Sequence, residues 1–200
     1  MKIKNIVFDF GGVLVDWNPI YLFKNEFSDA SEMDYFLTHV CNNRWNVEQD
    51  RGRPFTVGIK LLKEQHPKYS SYIQTFFDKW AVMMKSDIPE NVEALYQVKE
   101  MYRVFGLTNW SAETLPLAYK RFPFFKEFEG VVVSGDEKLV KPDERLFQIL
   151  LDRYELNSEE SLFIDDNLDN INAANRMGFA TIHIYPEMSL MVELKKMEII

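Results

Sequence analysis

The chain of 200 residues predicts an α/β protein: a doubly wound parallel sheet with a small helical cap inserted after the first strand. Three observations predict this. Short apolar runs lack polar alternation, as strands covered on both faces do. Helical periodicities stand between the later runs, and alternating strands and helices build a parallel sheet wrapped on both sides. The interval between the first two runs is too long for one crossover and is filled with helical patterns.

The strands fall at 3–8, 102–107, 130–133, 161–164 and 180–185. The first ends in Asp9, followed by Phe10 and the pair Gly11-Gly12, which lets the backbone turn sharply beside the carboxylate. Residues 91–101 place Val92, Leu95, Val98 and Met101 at helical spacing, and 145–153 carry Leu146, Ile149 and Leu150. Residues 170–177 carry Ile171, Ala174 and Met177, and Gly178 stops that helix. Helical patterns at 19–27, 30–40, 56–65 and 69–85 fill the long interval, with breaks at Gly52-Arg53-Pro54 and His66-Pro67 and no convincing strand. The core is therefore expected over 1–16 and 88–200 and the cap over 17–87, with a packing helix in 187–200.

Composition narrows the function classes. The chain is 46% hydrophobic and 27% charged, an ordinary globular balance. Its net charge of -8 argues against general nucleic-acid binding, which rests on Lys and Arg contacts to phosphates. A small anionic substrate stays compatible, because a local site can oppose the net charge. The lone cysteine, Cys41, has no catalytic signature around it and reads as a packed thiol suited to a reducing compartment. No signal peptide precedes the first strand and no apolar run is long enough to span a bilayer, so a cytoplasmic protein without membrane contact is expected.

Chemistry gathers at the strand ends. Asp9 follows the first strand, Thr108 and Asn109 the second; Lys141 lies in the loop after the third, and Asp165 and Asp166 follow the fourth. In an open α/β sheet these positions share the edge where ligands bind. Three carboxylates repel one another unless something compensates, and a hard divalent cation with oxygen ligands is the natural partner. Mg²⁺ held by Asp9, Asp166 and a backbone carbonyl near Gly11, with Asp165 direct or through water, leaves Lys141 to neutralise the rest. Thr108, Asn109 and Lys141 are then placed to hold phosphate oxygens, with Asp9 as the covalent nucleophile.

The four segments Val7-Phe8-Asp9-Phe10-Gly11-Gly12-Val13-Leu14, Gly106-Leu107-Thr108-Asn109, Lys141-Pro142-Asp143 and Phe163-Ile164-Asp165-Asp166-Asn167 resemble, in order, the motifs of the haloacid dehalogenase-like hydrolases. The resemblance covers the whole chain, and the insert resembles the family's helical type-1 cap. Within the family the chain looks most similar to small phosphatases that include an α-D-glucose-1-phosphate phosphatase. This implies an Mg²⁺-dependent phosphatase acting on a small phosphorylated metabolite, a sugar phosphate being the class suggested, through an aspartyl-phosphate on Asp9. The chain is expected as a monomer or homodimer.

One departure matters. Most phosphatases of the family carry an acid two residues after the nucleophile, where this chain has Gly11. General acid–base help is worth about 10²–10⁴-fold, so its loss implies slow turnover or a substitute. Asp16, Glu48 and Asp50 are candidates, against the weightier reading of each as an ordinary solvated or capping carboxylate. Two other functions stay open: a 2-haloacid dehalogenase using the same aspartate without a metal, and a binding or regulatory protein with little turnover. The pair Asp165-Asp166 weighs against the dehalogenase, because similar dehalogenases have small polar residues there. At the entrance Trp17, Trp45 and Trp110 are expected, with Trp110 the best candidate for touching the leaving group, although Trp45 reads equally as core. Arg44, Arg51 and Arg53 are candidates for a second anionic group or, more simply, a solvated surface, and the three histidines show no ligand spacing.

Overall fold

The computed structural model describes residues 2–200. Its main sheet is parallel and contains β1 (Asn5–Phe8), β4 (Arg103–Thr108), β5 (Gly130–Val133), β6 (Ser161–Asp165) and β7 (Ala180–His183), in the order β5-β4-β1-β6-β7. The chain runs outward from β1 through β4 to β5 and then returns to the opposite side of β1. The order therefore reverses between β1 and β6, and an open sheet leaves a crevice at that point. Register brings the two strand ends level: Phe8 pairs with Ile164, and the Asp9 amide donates to the Ile164 carbonyl at 2.9 Å.

Period-two geometry sends alternate β1 residues to opposite layers. Ile6 and Phe8 pack into one apolar cluster with Val92, Leu95 and Val98 of the helix Pro89–Val98 and with Leu190 and Leu194 of the helix Leu190–Lys196. Val7 packs into the other, with Leu146, Phe147 and Leu150 of the helix Glu144–Tyr154 and Ile171 and Ala174 of the helix Leu168–Arg176. Both sheet faces are covered, which explains the unbroken apolar runs. Gly106 is a packing requirement: a Cβ there would collide with the Phe10 ring.

The segment after β1 corrects one expectation. The interval was read as strand-free, yet β2 (Val15–Trp17) pairs antiparallel with β3 (Met84–Asp87), Val15 opposite Asp87. These strands have only three and four residues, too few to show an alternation, and β3 occupies the end of the stretch read as one helix over 69–85. That stretch contains the helix Ser70–Asp78 and a 3-10 turn, Trp80–Met83, before β3. The ladder draws together the start and end of the helical insert. Within the insert, Phe23, Phe36 and Phe76 are buried and continuous with the first sheet-face cluster. Cys41 is buried there too, and burial holds its thiol well above the usual range, as a packed thiol requires. Among the described residues no helix is long and apolar enough to cross a membrane.

Candidate active site

Lys141 organises the floor of the crevice. Its side chain is fully buried; Nζ lies 2.6 Å from Asp165 Oδ2 and 3.1 Å from Asp9 Oδ1, and it donates to the Leu107 carbonyl at 2.8 Å. An ammonium has three donors, so this one is saturated and fixed. Burial pulls its pKa down, but Asp165 and Asp9 outweigh that, and the net shift is upward. Asp9 moves up as well: burial is the largest cause, and repulsion from Asp165 and Asp166 adds to it against the Lys141 charge and the Phe10 amide. That amide donates to Asp9 Oδ1 at 2.7 Å and orients the carboxylate.

Asp165 is fully buried. Its Oδ1 accepts from the Asn167 amide at 2.7 Å and Asn170 Nδ2 at 3.0 Å, while Oδ2 receives Lys141. Its lone pairs are spent on the protein, so the geometry suits an anchor for Lys141 better than the direct metal contact that the sequence also allowed. Asp166 is exposed at the rim, and burial and Asp165 push its carboxyl up. Gly12, at φ +73°, passes so close to this carboxylate that any side chain would collide with it. Gly11 differs: a Cβ there would meet nothing within 4 Å.

One oxygen each from Asp9, Asp165 and Asp166 lies within 4.8 Å of the others. Three acids against one lysine leave an excess of negative charge, and repulsion already contributes to the upward shifts of Asp9 and Asp166. An all-oxygen donor set of this charge fits a hard divalent cation such as Mg²⁺.

Thr108 and Asn109 occupy different positions in this arrangement. Thr108 is fully buried, and its hydroxyl has no hydrogen-bond partner in the protein. Asn109 instead clamps the lysine loop: Oδ1 accepts from the Lys141 amide at 2.8 Å and Nδ2 donates to the Lys141 carbonyl at 3.0 Å. Its side-chain oxygen and one of its two amide hydrogens are engaged in holding Lys141.

Opposite this floor stands an aromatic and amide wall, enclosing a cleft of roughly 500 Å³. Trp17, Trp80 and Trp110 line it. Trp110 is buried, lies 5.4 Å from the Trp80 ring, and donates Nε1 to Thr114 Oγ1 at 3.2 Å. Trp45, expected at the entrance, is instead packed edge-on to Phe76 inside the insert with ring centroids 5.2 Å apart. Among the arginines singled out, Arg51 lines the cleft, whereas Arg53 is tied to Gln49 Oε1 at 2.6 Å and to the Trp45 carbonyl.

The helix Asn43–Asp50 was not foreseen. Asn42 caps it by accepting from the Trp45 amide at 2.9 Å. Asn43, Asn46, Val47 and Asp50, at positions i, i+3, i+4 and i+7, form its cleft-facing stripe. A largely polar stripe escapes a search for apolar periodicity, although the Asn42 cap and the Gly52-Arg53-Pro54 stop are sequence signals for it. Burial, reinforced by Asp9 and partly offset by the Ser111 amide, pushes the Asp50 carboxyl up to about 8. The other proposed substitutes lie elsewhere: Asp16 accepts from the Tyr21 hydroxyl at 2.8 Å, and Glu48 faces Arg51 at 3.7 Å.

Residues 6–184 match the family model of the haloacid dehalogenase-like hydrolases. A sesquiterpene phosphatase from Aspergillus oryzae is 25% identical over 97% of this chain and 96% of its own length. An (S)-2-haloacid dehalogenase from Burkholderia cepacia is 31% identical over half of this chain and 43% of its own. The fold of a haloacid dehalogenase family enzyme from Bacteroides thetaiotaomicron, solved as a magnesium complex, superposes with a TM-score of 0.80 at 19% identity, covering 98% of this chain and all of that one. With its parallel sheet, its four strand-end segments and a family match spanning most of its length, the chain belongs to the haloacid dehalogenase-like hydrolases.

Proposed function

We propose that the protein is an Mg²⁺-dependent phosphatase that hydrolyses a small phosphate monoester through an aspartyl-phosphate on Asp9. The observation that carries this reading is the convergence of Asp9, Asp165 and Asp166 around a buried lysine. A haloacid carries one carboxylate and no phosphoryl group, and an uncompensated acid cluster opposes its binding. Full-length similarity to a phosphatase supports the same choice over the half-length similarity to a dehalogenase. Residues 17–87 serve as the cap that selects the substrate, with the β2–β3 ladder as its two-stranded stem.

In this reading Asp9, Asp166 and the Gly11 carbonyl hold the cation, and Asp165 supports that shell through Lys141. The chemistry Mg²⁺ supplies when bound is neutralisation of charge on the phosphoryl oxygens. Asp9, oriented by the Phe10 amide, attacks phosphorus. The unpartnered Thr108 hydroxyl offers a hydrogen bond to a phosphoryl oxygen, and Lys141 balances charge beside the nucleophile. Asn109 keeps the Lys141 loop in place.

A panel of phosphorylated metabolites assayed with Mg²⁺ and then with EDTA, alongside 2-chloropropionate, tests this. Phosphate release that stops in EDTA is expected. Halide release without metal, with no phosphate released from any ester, would show the dehalogenase reading to be the right one.

A further inference from the structure

We infer that Asp50, brought to the cleft by the cap helix, supplies the proton transfers for which Gly11 has no side chain. The inference rests on the phosphatase reading and adds a catalytic residue to it. The acids lining the cleft are Asp9, Asp50 and Asp166. Asp9 is the nucleophile and Asp166 belongs to the cation cluster, so Asp50 is the acid left for proton transfer.

Its position is built from both sides. Asn46, one helical turn earlier, donates Nδ2 to Asp50 Oδ2 at 3.1 Å and fixes the carboxyl. The Asp50 backbone carbonyl accepts from Ser134 Oγ at 2.6 Å, and the same hydroxyl accepts from the Trp110 amide at 2.9 Å. One serine at the end of β5 thus joins the cap acid to the segment just after Thr108 and Asn109. Gly52, at φ +90°, turns the chain immediately after Asp50; a Cβ there would meet the Gly135 carbonyl at 2.6 Å. A side chain at Gly52 would push the end of the helix away from the core. Asp50 is thereby held in register with the phosphate site although it belongs to the cap.

In the first half-reaction Asp9 forms a bond to phosphorus while the bond from phosphorus to the ester oxygen breaks. The departing alkoxide takes the proton of the Asp50 carboxyl, giving the alcohol and an Asp50 carboxylate. In the second, that carboxylate takes a proton from water as the water oxygen attacks phosphorus. The Asp9–phosphorus bond breaks, inorganic phosphate leaves, and both aspartates return to their starting forms.

Asp50→Asn tests this with two esters, an alkyl phosphate such as glycerol 3-phosphate and 2,4-dinitrophenyl phosphate, whose leaving group departs without a proton. The expected variant is folded and loses alkyl-ester turnover by about 10²–10⁴-fold. With the dinitrophenyl ester it releases one equivalent of dinitrophenolate per enzyme at close to the wild-type rate and then turns over slowly. Asp50→Ala with added formate should recover part of the alkyl-ester rate. Equal slowing of the first step for both esters, or turnover unchanged for both, would overturn the role of Asp50. A wild-type protein that releases phosphate from neither of these esters nor any member of the metabolite panel removes the phosphatase reading itself, and Asp50's role with it.

Discussion

The two sides of the cleft are built on opposite principles. The floor, at the ends of β1, β4 and β6, is charged and saturated apart from the Thr108 hydroxyl: Lys141 uses all its donors, and the Asp165 oxygens accept from Lys141, Asn167 and Asn170. The opposite wall is aromatic and amide, and it holds unmatched atoms: Trp17 Nε1 and Asn46 Oδ1 are buried without a partner. A saturated network has one arrangement and suits a fixed reaction geometry, whereas unmatched groups are what a bound molecule can satisfy. In the proposed phosphatase the floor would carry the chemistry and the wall would distinguish substrates.

The sharpest way to break this contrast is at the nucleophile. Asp9→Asn should abolish turnover by more than about 10³-fold while the protein stays folded, since one buried acid is exchanged for a neutral isostere. Retained phosphate release in a steady-state assay would remove Asp9 from the chemistry. Lys141→Met should be costly in both activity and stability, because it leaves Asp9 and Asp165 buried without compensation. Breaking such a pair costs about 3–5 kcal/mol, which calorimetry would read as a fall in Tm of roughly 10 °C.

Asp166→Asn should weaken Mg²⁺ binding by about tenfold or more, measured by isothermal titration, with little loss of Tm because the residue is exposed. An unchanged titration would place the cation elsewhere. On the wall, Trp80→Ala should raise KM more than it lowers kcat, the mark of a binding contact; an equal fall in kcat and kcat/KM would move Trp80 into the chemistry.

The last effect is on stability alone. The Asp50 carboxyl is raised from 3.8 to about 8 in the folded protein. The folded state then holds a proton that the unfolded chain releases, so Asp50 lowers stability increasingly as pH rises through that window. Asp50→Asn should therefore raise Tm at pH 7 and leave it nearly unchanged at pH 4, as checked by scanning calorimetry at both values. A drop in Tm at pH 7 would mean that Asp50 is ionised and paired in the folded state.

Most of the floor was readable in the sequence because Asp9, Thr108 and Asp165 stand at or directly after strand ends. Once Ile6, Leu107 and Phe163 are recognised as strand residues, those three follow at one edge through local geometry, whereas Lys141 lies eight residues beyond the end of β5 and is brought in by its contacts with Asn109 and Asp165. The wall was legible only in part: Trp17 and Trp110 were expected at the entrance and line the cleft, but Trp80 and the helix Asn43–Asp50 gave no apolar periodicity to follow. Trp80 sits in a 3-10 turn, and Asn46 and Asp50 sit on a helix whose interior face is only Trp45 and Gln49. The β2–β3 ladder escaped for a similar reason: its strands are too short for periodicity, and their pairing joins residues about seventy positions apart.

The sequence by itself determined the layered sheet, the helical insert and the set of strand-end groups, because burial on both faces and backbone direction are local properties repeated along the chain. Only the tertiary structure decided how those groups divide their work. It tied both polar atoms of Asn109 to Lys141, surrounded Asp165 with donors and left the Thr108 hydroxyl unmatched. It also brought Asp50 into the same cleft as Asp9 and Gly11. Hydrogen-bond saturation and the meeting of distant segments depend on packing in three dimensions, and a one-dimensional pattern does not carry that information.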